Sequence, residues 1–188
     1  NLMKLWGNTI ETSAGHGIYA NTGVSFQRPV IKECTIKNNG WEGLRMDNTQ
    51  FINKLATIEN VDFTNNGGSG MLLGPGTIIN KDIDVDSCKF SNNGNSGLAF
   101  ICTANDIEVF DCDFTGNNWE DLDLGTAWIG PSSFNLVDIH DNDFLAGPAW
   151  AKVHIDSSAM ITPGSTMINN NNFLNGIGIN NAQPVLVD

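Results

Sequence analysis

Apolar residues in this chain recur in small groups at fixed offsets rather than in long runs. An eight-residue block ending in Asn-Asn-Gly stands at 33–40 (ECTIKNNG), 60–67 (NVDFTNNG) and 87–94 (SCKFSNNG), with a degraded copy at 111–118 (DCDFTGNN). Anchored on the last apolar residue of each block, one column reads Ile10, Ile36, Phe63, Phe90, Phe114, Phe144 and Phe173, at spacings of 24 to 30 residues. Five positions earlier stand Leu5, Ile31, Ile58, Val85, Val109, Ile139 and Ile168. Eight positions later stand Ile18, Leu44, Met71, Leu98 and Leu122, with Val153 nine after its anchor. Each of these is followed two residues on by Ala20, Met46, Leu73, Phe100, Leu124 or Ile155. A period of two marks strands whose side chains alternate between core and solvent. Each repeat therefore holds three short strands, and only stacking of repeats can supply a core.

The turns carry their own chemistry. Asn and Gly tolerate the left-handed backbone of a tight corner, and stacked Asn side chains can hydrogen-bond from one repeat to the next. A further Gly precedes each pair on the third strand (Gly17, Gly43, Gly70, Gly97), which lets neighbouring repeats approach closely. Asn-Gly hairpins are the competing reading, but hairpins would not reproduce three apolar columns in register. Cys34, Cys88 and Cys112 share one inward column with Val61, as expected of buried thiols, although Cys88 and Cys112 on adjacent repeats could also form a disulfide. Cys102 has no partner in register.

The corner and the three columns resemble the right-handed parallel β-helix superfamily of pectate lyases, polygalacturonases, alginate-acting enzymes and phage tailspikes. The resemblance covers Leu5 to about Phe173. It implies an all-β, right-handed parallel β-helix solenoid of about seven coils of three short strands, one domain over residues 1–188. It is specific for fold and weak for function. The phage tailspike or appendage domain is the most similar kind, and implies an extracellular or virion-associated location and a homotrimer in the parent protein. The first strand is in phase without a capping helix, and the tail after Phe173 leaves the pattern, so the chain reads as an excerpt of a longer one.

Composition narrows the partners. Nine Lys and Arg stand against 21 Asp and Glu, a net charge of −12, which argues against nucleic acid and anionic lipid. No apolar run is long enough to cross a bilayer, and the cysteines lack the spacing of a zinc site.

With the register fixed, outward residues of the third strand fall into rows. One reads Tyr19, Arg45, Leu72, Ala99, Asp123 and His154; the next reads Asn21, Asp47, Gly74, Ile101, Gly125 and Asp156. The turn before them supplies His16, Glu42, Ser69, Ser96 and Glu120, with Trp41, Trp119 and Trp150 beside it. Two polar clusters result. Trp41, Glu42, Arg45 and Asp47 form the first; Trp119, Glu120, Asp121, Asp123, Trp150, Lys152, His154 and Asp156 form the second. Aromatic rings beside carboxylates suit a sugar-binding groove, since rings pack on pyranose faces while charged groups fix hydroxyls. The plainer readings are tryptophans that cap the stack and a solvated acidic face.

Glycoside hydrolysis needs two carboxyl groups about 5 to 9.5 Å apart, and Glu120 or Asp123 with Asp156 one coil away meets that need. These three are the candidate catalytic residues. Trp41, Glu42, Arg45, Asp47, Trp119, Trp150, Lys152 and His154 are candidates to bind a polysaccharide. No cofactor or protein-bound metal is expected, unless calcium assists a lyase that uses Arg45 or Lys152 as base. The polygalacturonase motif set is absent, and Gly15-His16-Gly17 reads as a turn. The 125–133 segment, with Trp128 and Pro131, is the longest turn and a candidate groove wall. A non-catalytic receptor-binding or structural stalk is the alternative from a different class.

Overall fold

The computed structural model describes residues 2–52, 55–125, 132–148, 150–156, 159–162, 165–174, 179–181 and 186–187. All described regular structure is β, and every strand pair is parallel. Three sheets run along one axis. The second begins at Thr9–Glu11 and ends at Asn172–Phe173, the third runs from Ile18–Asn21 to Ile179–Asn181, and each has seven strands, spanning about six turns. Each strand is hydrogen-bonded to its counterparts one coil away, as the expected solenoid requires.

The register is the one the sequence predicts. Ile10 pairs with Ile36, Ile36 with Phe63, and the column continues through Phe90, Phe114, Phe144 and Phe173. From Phe63 onward the rings stack face to face with centroids 4.9 to 5.1 Å apart. That distance is the coil rise itself, so one aromatic per coil builds an unbroken pile. The first sheet departs from three strands per coil. It has twelve strands, because a second strip (Ser25–Phe26, Gln50–Phe51, Ile78–Ile79) joins the main strip through two long strands, Thr103–Phe110 and Ser132–His140. In those two segments the strand runs on without a break, so the two strips join there as one.

Two kinds of corner hold the coils in place. Between the first and second strands sits a single left-handed residue: Gly7, Glu33, Asn60, Ser87, Asp111, Asp141 and Asn170, all at positive φ. The next residue is that of the inward column, a Cys or Asn in every coil but one, where it is Val61. Cys88 Sγ lies 3.2 Å from the Asp86 carbonyl and 3.4 Å from that of Ile58, and Asn142 Nδ2 donates to the equivalent carbonyls of His140 and Val109. Thiol and amide thus serve the same backbone acceptors. All four cysteines are buried and free, and Cys88 and Cys112 do not form the disulfide that their register allows.

In the Asn-Asn-Gly corner the two asparagines divide the work. The first (Asn38, Asn65, Asn92) takes the left-handed backbone, a role passed to Gly116 in the degraded copy. The second is buried and forms a ladder: Asn39 Nδ2 donates to Asn66 Oδ1, Asn66 to Asn93 and Asn93 to Asn117, at 3.0 to 3.1 Å. Close approach of the coils explains the additional Gly. A Cβ on Gly43, Gly70 or Gly97 would stand 2.6 to 2.7 Å from a backbone carbonyl of the following coil and 2.8 to 2.9 Å from its ladder amide.

Asn65→Gly is expected to leave stability within about 1 kcal/mol of wild type, because glycine adopts the left-handed region freely. Asn66→Ala, which strands a buried amide N–H, a carbonyl and two neighbouring ladder groups, is expected to cost about 2–3 kcal/mol in urea unfolding.

Candidate functional site

The outer face of the third sheet carries the predicted rows as pairs in register: Tyr19 with Arg45, Arg45 with Leu72, Leu72 with Ala99, Ala99 with Asp123 and Asp123 with His154. What the sequence shows as a neutral gap between two polar clusters is the floor of a cleft of about 250 Å³. Glu42 and Arg45 line one end and Trp119 and Asp123 the other. Leu72, Ala99 and Ile101 point outward yet are buried, forming a small apolar cluster separate from the core.

The tryptophans stand in a row beside this floor. Backbone hydrogen bonds run from Trp41 to Gly15, Gly68 to Trp41, Asn95 to Gly68, Trp119 to Asn95 and Trp150 to Trp119, so these residues occupy equivalent places on successive coils. Trp41, Trp119 and Trp150 are 60%, 60% and 54% exposed. Three coil steps, about 14 Å, separate Trp41 from Trp119, and the small residues between leave the cleft open.

At the first end, Arg45 Nε donates to Asp47 Oδ2 at 2.7 Å, with Glu42 Oε1 3.6 Å from its Nη1. Burial works against the guanidinium charge, but the hydrogen bond and charge of Asp47, aided by Glu42, push its pKa up on balance. His16 Nδ1 lies 2.8 Å from Glu42 Oε2, and the His16 ring is packed between Tyr19 and Trp41. His16 and Tyr19 thus belong to this end. The pairing of Tyr19 with Arg45 in the predicted row is the signal that could have placed them there.

At the second end, Ser96 Oγ donates to Glu120 Oε2 at 3.0 Å, and His154 Nδ1 is 2.9 Å from Asp123 Oδ1. Burial drives the Asp123 carboxyl up to about 6; His154 opposes the rise, and the charges of Glu120 and Asp156 add to it. His154 is raised in turn, first by its hydrogen bond to Asp123 and against the effect of burial. Its ring meets Trp150 edge-on at 5.3 Å. The structure therefore brings Glu120, Asp123, His154 and Asp156 into one electrostatic group, in which burial holds the Asp123 carboxyl above the usual carboxylate range.

Among known proteins, residues 2–72 match the family model described as a right handed beta helix region. No curated protein and no solved structure gives a match. The chain folds as a parallel β-helix. Within this β-helix, parallel strands of one sheet joined by a crossover follow the usual right-handed sense.

One expected binding residue sits elsewhere. Its neighbours in the sequence put Lys152 on the groove face, but its side chain is 1% exposed, paired with the fully buried Asp121 at 3.0 Å and donating to the Leu145 carbonyl at 2.7 Å. Asp121 does not join the surface cluster either. The β-helix explains why: the coil containing Phe144 continues Leu145-Ala146-Gly147 and offers no ladder Asn, so Asn117 Nδ2 donates instead to Asp121 Oδ1 at 2.8 Å. Burial raises the Asp121 carboxyl while Asn117 and Lys152 hold it back. Lys152 neutralises a ladder end, and is not available as a base. Trp128 and Pro131 lie outside the described residues.

Lys152→Met alone should destabilise the protein by about 3–5 kcal/mol, since it strands a buried carboxylate. Adding Asp121→Asn, which keeps the acceptor for Asn117 without the charge, should recover most of that loss in denaturant melts.

Proposed function

We propose that the cleft of the third sheet binds a cell-surface polysaccharide and hydrolyses it. The observation that supports this best is the combination on one floor: apolar Leu72 and Ala99 for a sugar face, flanking tryptophans, and a buried carboxyl at Asp123 with Glu120 and Asp156 within its electrostatic reach. In this reading Asp123, protonated to a useful fraction near its pKa of about 6, donates its proton to the glycosidic oxygen as the bond to the leaving sugar breaks. Glu120 or Asp156 acts on the opposite face of the ring, as base toward water or as nucleophile. His154 holds the Asp123 carboxyl in place through Oδ1.

Arg45 and Asp47, fixed by their mutual hydrogen bond, would order hydroxyls at the far end, with Glu42. Trp119 and Trp150 supply stacking surface. The reading goes with an extracellular or virion-associated protein that meets its polymer as a homotrimer. The lyase alternative is weaker, because Lys152 is committed to Asp121 and Arg45 to Asp47 and Glu42.

Reducing-end release from a panel of capsular and wall polysaccharides tests the reading. Asp123→Asn should lower release by about 100-fold or more while leaving binding in place. The rate should fall as pH rises through about 6, because the general acid is then lost. Trp119→Ala should weaken binding by roughly three- to tenfold, the worth of one stacked ring. Retained binding with no release from any polymer would instead mark a receptor-binding domain.

A further inference from the structure

The first sheet, away from the cleft, carries a second group of polar side chains that the reading above does not use. Its two long strands, Thr103–Phe110 and Ser132–His140, pair Glu108 with Asp138 and Phe110 with His140. Glu108, Asp138 and His140 all lie on the outward side, and one ligand atom from each falls within 4.8 Å of the others. His140 Nε2 and Glu108 Oε1 are already 3.2 Å apart. Two ligands of a tetrahedral zinc ion are separated by about 3.4 Å, so small side-chain rotations would complete such a set.

Three further observations point to a cation. First, His140 Nδ1 lies 2.8 Å from Asp141 Oδ2, and its ring stacks on Phe110 at 5.3 Å with 10° between planes. A carboxylate on one ring nitrogen orients the imidazole and raises the basicity of the other, which is the arrangement that metal-bound histidines adopt. Second, Asp138 and Asn169, which line a hollow with His140, Asp141 and Asn170, each carry a side-chain Oδ1 shielded from solvent and without a hydrogen-bond donor. Asn169 is the rung next to His140 on the following coil. A buried oxygen without a donor is costly, and a positive ion satisfies it. Third, among the described residues no Lys or Arg lines this hollow or the adjoining one along Asp82, Asp84, Asp106 and Glu108.

We propose that Glu108, Asp138 and His140 bind a divalent transition-metal ion of the zinc class, with Asp141 positioning the histidine. The imidazole favours such an ion over calcium or magnesium, which take oxygen ligands. With ligands from two adjacent coils, the ion would clamp the longest strands of the sheet together, and water would fill the remaining coordination position. The site is independent of the cleft.

Zinc titrated calorimetrically into the chelator-treated full chain should bind with a stoichiometry of one and raise the melting temperature. Cobalt in its place should give visible absorbance of a low-coordinate nitrogen and oxygen site. Glu108→Gln and His140→Ala should abolish both signals with the circular dichroism of the fold intact, and Asp141→Ala should weaken zinc about 10- to 100-fold. Absence of saturable zinc binding, or affinity unchanged in both Glu108→Gln and His140→Ala, would overturn the assignment. Loss of zinc in His154→Ala with retention in His140→Ala would place the ion on the third sheet and overturn it equally.

Discussion

In-register parallel stacking at one strand spacing per coil governs everything else in this molecule. Each coil is too small to bury its own apolar residues, so the core exists only as columns shared between coils. A column repeats one chemistry at a fixed rise, and this favours groups that can hydrogen-bond or stack on copies of themselves. Phenyl rings do so through their faces. Asparagine does so because its amide is donor and acceptor at once, and each Asn Oδ1 here also accepts the backbone N–H of the preceding coil. The ladder and the glycine row go together, since the carbonyl and the ladder amide of the following coil both stand where a Cβ would go.

A self-repeating ladder also needs an end. Where the sequence stops supplying Asn, the last amide must find a different acceptor, and Asp121 provides it at the cost of a buried charge. Lys152 offsets that charge. The ion pair is therefore a consequence of the fold's own bookkeeping of hydrogen bonds, which is why a lysine in a run of surface-like residues ends up in the interior.

How much of this is legible in the sequence depends on whether a feature repeats. The anchor columns, the outward rows and the place of the tryptophans follow from offsets alone, because each has several copies that must agree. Cys88 and Asn142 share a column for the same reason, although nothing in the spacing shows that thiol and amide reach the same carbonyls. Features present once are hidden. Lys152 is assigned outward by its neighbours, and only the missing Asn after Phe144 hints otherwise. The fused strips of the first sheet escape notice because coils with separate strips, as at Asn80-Lys81-Asp82, also lack Gly and Pro there, so composition does not mark where the strands run together. His140 belongs to an outward row of the first strand whose other members (Lys32, Glu59, Asp86, Phe110, Asn169) share no chemistry with it, so its approach to Glu108 becomes visible only in three dimensions.

The outer faces show the same constraint with the opposite sign. Parallel register sets like residues side by side, so a row of carboxylates such as Asp84, Glu108 and Asp138 accumulates repulsion that an antiparallel sheet could relieve by alternating partners. A β-helix can tolerate such a row in three ways: water, a proton or a cation. On the third sheet burial raises the Asp123 carboxyl to about 6, and on the first sheet burial together with Glu108, Asp82 and Asp86 raises Asp84 to about 6 as well. On the first sheet the carboxylates face an imidazole oriented by Asp141, beside two side-chain oxygens that lack a donor. The same stacking rule thus sets a buried carboxyl beside a histidine on one face and a carboxylate row beside a histidine on another.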